Sequence, residues 1–260
     1  MTGYVCAGID LAIAKGKRLP IVVCRREGGR VVPLALRGRT LPEPPKGCGN
    51  AAIIDPSVRR QFAEDAVAYL ETVERRFGVE IGRVAIDAPS APRANGLPLR
   101  AAEAALRREG ISFIQTPNEA TFDQMPARVR EHLATGGSEA TLPCANQLWM
   151  LFGFELFAAA GRRGWPCLEV YPQATVHVLG VGHTHKTKAG AVVAQLSAAA
   201  KYTGWPDDPS LRALQEVGYG SAHDRLDAYL ATWVACLEPS ERRAMGHPPH
   251  DAIWVPRVAG

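Results

Sequence analysis

The chain reads as an α/β protein, a mixed sheet of three antiparallel strands extended by parallel ones, with helices on both faces. Two observations predict this class. The first 36 residues hold three apolar runs, Tyr4 to Ala12, Leu19 to Cys24 and Val31 to Leu36, joined by the polar turns Ile13 to Arg18 and Glu27 to Arg30. Short runs joined by short polar turns make an antiparallel meander. Further on, strand-like runs at Arg83 to Asp87, Ile111 to Thr116 and Pro166 to Tyr171 are separated by segments of helical periodicity, the alternation expected of parallel strands joined by crossovers.

Each element has its local reason. Residues Arg37 to Asn50 carry three prolines and two glycines beyond residue 41 and read as a loop. A helix is predicted from Pro56 to Phe77, with Val58, Phe62, Ala66, Tyr69, Leu70, Val73 and Phe77 as its apolar stripe and Gly78 as its stop. Pro98 and Gly110 bracket another, with Leu99, Ala102 and Leu106 inward and Arg100, Arg107 and Arg108 outward. The segment 117–137 is polar and irregular, with an amphipathic helix over Ala127 to Ala134. Leu148 to Ala160 is apolar all round, which marks a buried helix, and Trp149, Phe152, Phe154 and Phe157 belong to the core. Pro172 is expected to end the strand before it. Ala189 to Tyr202, Pro209 to Val217 and Ala222 to Leu237 read as helices, whereas the proline-rich tail after Pro239 reads as lying outside the core.

At 260 residues and 47% hydrophobic content, the chain suffices for one domain over 1–260, with a helical insertion around 117–165. A net charge of +4 allows an anionic partner but is too small for a nucleic-acid-coating arm. The six cysteines include no Cys-x-x-Cys pair, which argues against zinc and for a reducing compartment. No basic leader with an apolar run and no stretch of ~20 apolar residues is present, so a cytoplasmic protein without membrane contact is expected. Phosphate-binding glycine loops are absent.

Four acids stand where acids are costly. Asp10 and Asp87 each end an apolar strand, and each has a very small residue, Gly8 or Ala85, two positions earlier on the same face. Side by side, those strands would present two carboxylates at one sheet end. Asp224 and Asp227 are three apart on a helix, so their Cβ atoms are ~5–6 Å apart. Ser221 and Asp224 fit a capping box, which accounts for Asp224 alone. Two carboxylates at ~5 Å repel by roughly 3 kcal/mol at an effective dielectric of 20, so both ionised near a core call for a cation. Oxygen donors in this number suit Mg²⁺ or Mn²⁺. Glu169 is a fifth acid in an apolar run, either an additional site residue or the partner of a buried arginine.

The motifs Gly8-Ile-Asp10-Leu-Ala, Ala85-Ile-Asp87-Ala-Pro, Arg100-x-x-Glu103, Glu169-Val-Tyr-Pro172 and Asp224-x-x-Asp227-Ala resemble the domain of unknown function 429 family, predicted nucleases of ribonuclease-H-like fold. The resemblance runs over nearly the whole chain. Within that superfamily, most nearly in its Holliday-junction-resolvase branch, one acid comes from the first strand, one from the fourth and a pair from the last helix. It therefore implies Asp10, Asp87, Asp224 and Asp227 as catalytic metal ligands, a Mg²⁺ or Mn²⁺ cofactor, a nucleic-acid substrate, and phosphodiester hydrolysis by two metal ions. Glu169 has no counterpart in the resolvase set. Arg100, Lys186 and Lys188 are candidates for substrate binding. His183 and His185 read as a solvated loop, and Arg93, Arg107 and Arg108 as a solvated face. Two other classes stay open: a binding or scaffold protein that keeps the fold without turnover, and a phosphotransferase of the sugar-kinase and actin superfamily, for which the chain is short and lacks phosphate loops.

Overall fold

The computed structural model describes residues 4–11, 13–38, 41–182 and 190–258. Strands β1 (Tyr4–Asp10), β2 (Ile21–Glu27) and β3 (Arg30–Pro33) form the antiparallel meander. Helix α1 (Pro56–Phe77) begins behind Asp55, whose carboxylate accepts from the Ser57 amide at 2.8 Å, and ends on Gly78 in the left-handed region. The chain then enters β4 (Glu80–Asp87), which lies parallel to β1, and after α2 (Ala101–Arg108), α3 (Glu119–Ala134) and α4 (Ala145–Arg163) reaches β5 (Cys167–Glu169), parallel to β4. The sheet order is β3-β2-β1-β4-β5. Three antiparallel strands followed by two parallel ones, with β1 and β4 adjacent, is the ribonuclease-H-like arrangement that the sequence motifs imply.

Helices cover both faces. On one, α1 and α4 pack with Val5, Ala7, Ile9, Val84 and Ile86, and Phe62 meets Phe152 with ring centroids 4.3 Å apart. On the other lies α7 (Ala222–Cys236), preceded by α5 (Pro172–Val178) and α6 (Ala191–Thr203). Leu226, Tyr229, Leu230 and Trp233 of α7 share a core with Val22 and Cys24. Phe122, Met125 and Val129 of α3 and Leu148, Phe152 and Leu156 of α4 join the same core as β1. The helical stretch within 117–165 is thus continuous with the sheet's own packing.

Three expectations are corrected. The run Ile111 to Thr116 forms no strand: Ile114 is 45% exposed, and the Thr116 amide donates to buried Glu103 at 2.6 Å rather than to a neighbouring strand. Pro209 to Val217 holds only a short 3-10 turn, Ala213–Gln215. The strand before Pro172 does end there, and Pro172 also opens α5, because a helix's first residue needs no amide donor. The tail is no loose end: β6 (Arg242–His247) and β7 (Asp251–Pro256) form a hairpin whose Met245, Ile253 and Val255 pack on Ala102 and Leu106 of α2. Its prolines fall at the turn, residues 248 and 249, and at the last strand position, where they interrupt little of the ladder. In addition, α3 runs eight residues further toward the N-terminus than predicted, with Pro126 inside it and the Asn118 side chain capping it at 3.0 Å.

Candidate active site

Asp10 and Asp87 are in direct register across the parallel pair β1 and β4, one strand spacing apart. Their common face is the one beneath α7. Cys6 donates its thiol to the Ala235 carbonyl at 3.3 Å and Arg83 its guanidinium to the same carbonyl at 2.6 Å, and both residues share strand parity with the two aspartates. At Gly8, between Cys6 and Asp10 on that face, helix and strand are in tight contact. A Cβ there would lie 2.4 Å from the Ala228 carbonyl and the Thr232 amide, so only glycine admits this approach.

This packing sets the register of α7 along β1. Ala235 lies over Cys6 and the Ala228–Thr232 turn over Gly8, so travelling toward Asp10 means travelling toward the start of the helix. Two strand residues advance ~6.6 Å and four helix residues ~6 Å, which brings the Asp224–Asp227 turn to the level of Asp10 and Asp87. Asp87 and Asp227 accordingly line one cavity of about 370 Å³, together with Ser112, Tyr171, Gln173 and His177.

Asp224 and Asp227 are both buried, with 8% and 5% exposure. Asp224 completes the capping box that the sequence suggests. Its carboxylate accepts from the Ser221 amide at 2.8 Å, and its own amide donates to the Ser221 hydroxyl at 3.4 Å. His223 Nε2 lies 3.0 Å from the other carboxylate oxygen. Burial alone would raise the Asp224 pKa, yet the Ser221 hydrogen bonds, His223 and Lys17 outweigh it and hold the carboxyl below its ordinary range. Asp224 is therefore ionised at neutral pH. Capping does not extend to Asp227, one turn further into the helix.

The donor set fits a hard divalent cation, since carboxylate oxygens are what Mg²⁺ and Mn²⁺ prefer. The main chain brings Asp10 and Asp87 side by side, and Asp227 lies on the cavity that Asp87 borders. The side chains do not close into a cage here: among the described residues, no group of three or more His, Cys, Asp or Glu is arranged to hold a metal ion. Asp10, Asp87 and Asp227 each engage a partner in this arrangement.

Glu169 is built differently. It sits on β5 in register with Ile86, so it leaves the sheet on the face opposite Asp87. Arg100 grips its two oxygens at 2.8 and 2.7 Å, and the Ser90 amide and hydroxyl add bonds of 2.8 and 2.9 Å. Of the two expectations for Glu169, the buried ion pair is what the structure contains. Arg100, expected to face outward, is only 4% exposed, a correction with a clear cause: it reaches back from the residue before α2 to Glu169 and to Asp251 at 3.2 Å. Asp251 in turn accepts from the amides of Ala101 and Ala102, tying the hairpin to the start of α2. With its guanidinium so engaged, Arg100 is not a solvent-facing substrate contact.

Lys186, Lys188, His183 and His185 lie outside the described residues. Arg107 and Arg108 are exposed, Arg107 over the Phe113 ring, and Arg93 donates to the Thr116 carbonyl at 3.2 Å. Sequence reasoning did not single out His223, Ser112, Gln173 or His177 as site residues. His223 was detectable from its place beside Asp224; the others are brought in by α5 and by an irregular segment, which leave no periodic signal.

The family model described as protein of unknown function (DUF429) matches residues 8–250. The chain belongs to this family. All five motifs above lie within the matched span, and the first of them begins at its first residue. No curated protein matches this DUF429 member. Among solved structures, the Thermus thermophilus RuvC structure is similar at 16% identity, over 86% of this chain and 91% of that one, with a TM-score of 0.33. At that score the likeness adds nothing to what the strand order already establishes.

Proposed function

We propose that this DUF429 protein is a metal-dependent nuclease whose site is Asp10, Asp87, Asp224 and Asp227. The observation that supports the reading best is the direct register of Asp10 with Asp87 beneath the first turns of α7. A structural role accounts poorly for two acids placed abreast at the end of a buried parallel pair. Asp10, Asp87 and the helical pair would hold the metal, and nucleic acid would be the substrate. Bound Mg²⁺ or Mn²⁺ would supply Lewis-acid activation of a water and charge stabilisation for phosphodiester hydrolysis. The chain's own contribution is to hold the carboxylates ionised and placed. Ser221 and His223 do this for Asp224, and the glycine contact of β1 with α7 fixes how far the helical pair stands from the strand pair.

A non-catalytic reading is favoured by one observation, the absence of a closed three-residue donor group among the described residues. One experiment separates the two. Melting curves of the wild type and of Asp227→Asn are recorded in chelator and in Mn²⁺, alongside cleavage of labelled single-stranded, duplex and branched DNA and RNA. The expected outcome is Mn²⁺-dependent stabilisation and cleavage in the wild type, both lost in Asp227→Asn, whose stability in chelator stays within about 1 kcal/mol of the wild type because a like charge has been removed. A wild type indifferent to Mn²⁺, with a variant destabilised in chelator, would establish the scaffold reading instead.

A further inference from the structure

The opposite end of the same helix–strand contact carries a second cluster of reactive groups. Cys6 on β1 is in register with Cys24 on one side and with Arg83 on the other, and all three share the face beneath α7. Over them lies the last turn of α7. Its Ala235 carbonyl receives both the Cys6 thiol and Arg83, and its Cys236 Sγ lies 4.0 Å from the Cys24 carbonyl oxygen. All six cysteines of the chain are free thiols.

Arg242 supplies an independent observation. It is 8% exposed and stacks over Trp254 at 4.9 Å, yet its Nε and Nη1 are buried without a hydrogen-bond partner. A buried guanidinium left this way is costly, and a nearby anion offsets the cost. Glu238 and, once ionised, Cys6 are the neighbouring groups that can supply one. A hydrogen bond from Cys236, with Arg83 and Arg242 nearby, holds the Cys6 thiol below its ordinary range, against the opposing effects of burial and of Glu238. The same bond, together with burial, pushes Cys236 up, and burial pushes Cys24 up. One thiol is thus prepared as a nucleophile and its neighbour kept as a proton donor, the asymmetry of an attacking and a resolving pair.

We propose that Cys6 and Cys236 are an oxidation site, in which hydrogen peroxide converts Cys6 to a sulfenic acid that Cys236 resolves to a disulfide between β1 and the end of α7. In the first step the Cys6 thiolate attacks one peroxide oxygen, the O–O bond breaks, and hydroxide leaves to be protonated to water. In the second the Cys236 sulfur attacks the Cys6 sulfur, the S–O bond breaks, and a second water leaves with the Cys236 proton. Two thiols lose two electrons in all, and one peroxide gains them. Because Cys6 lies four residues before Asp10 and Cys236 nine after Asp227, the bond would clamp together the two elements that carry the carboxylates. The proposal does not depend on the nuclease reading.

The test is a peptide map of the full chain after dilute hydrogen peroxide, alkylated without reductant. A Cys6–Cys236 disulfide is expected, with Cys48, Cys144 and Cys167 still alkylated. Cys236→Ser should stop the reaction at Cys6 sulfenic acid, trapped as a dimedone adduct. Arg242→Gln should slow Cys6 oxidation several-fold, since losing a neighbouring cation lowers the thiolate fraction. Should Cys236→Ser fail to fold, the wild-type map decides alone. A disulfide of Cys6 with Cys24, or oxidation confined to Cys48, Cys144 or Cys167, would overturn the assignment.

Discussion

Two acidic regions flank the end of β4, and they are built on opposite principles. On the α1 and α4 face, Glu169 receives four hydrogen bonds from Arg100 and Ser90, and Arg100 is further held by Asp251. On the α7 face, Asp10 and Asp87 stand abreast with the acidic pair of α7 at their level, and Arg83, on the same face of β4, donates to the carbonyls of Ala235 and Leu237 at the far end. A buried acid surrounded by fixed donors is a joint between segments. Several acids gathered at the start of a helix are the arrangement on which the proposed cation site rests.

The largest effect that would break this comparison is at the joint. Glu169→Ala strands a buried guanidinium and is expected to cost about 3–5 kcal/mol in urea unfolding. A loss below about 1 kcal/mol would mean that Arg100 finds other partners and that Glu169 is free to serve the site. Next comes the contact that sets the site's spacing. Gly8→Ala places a methyl against main-chain atoms of α7 that cannot turn aside, so a cost of about 1–3 kcal/mol is expected, with Mn²⁺ affinity weakened as the helix is displaced. An unchanged melting temperature with unchanged metal affinity would show that α7 is not held at the distance described.

Smallest is the cap. Ser221→Ala should cost about 0.5–2 kcal/mol at neutral pH. Because the folded-state pKa of Asp224 is depressed, its contribution is present above the unfolded carboxyl value near 4 and is lost as the pH falls through the lower folded value. The gap between wild type and Ser221→Ala should therefore narrow in acid unfolding below about pH 4. A gap independent of pH would assign the serine's effect to the helix start alone and not to the ionised Asp224.

Much of the fold was legible in the chain itself. Apolar runs with short turns specify β1 to β3, the stripe from Val58 to Phe77 with its proline start and glycine stop specifies α1, and alternation specifies the shared face of Gly8 and Asp10. These signals are local, set by side-chain period and backbone preference within a few residues. What the chain could not show was set by contacts between distant segments. Ile111 to Thr116 has strand composition but spends its amide on Glu103, while the position beside Val170 is taken by Trp254 from the hairpin. Arg100 sits in a helical pattern that points it outward, and only the arrival of Glu169 and Asp251, 69 and 151 residues further on, turns it inward. The identity of the acids is a property of the sequence. Whether an acid is paired with Arg100 or set at the sheet end beneath α7 was decided by sheet parity and by which helix covers which face, and both require the whole chain to be folded.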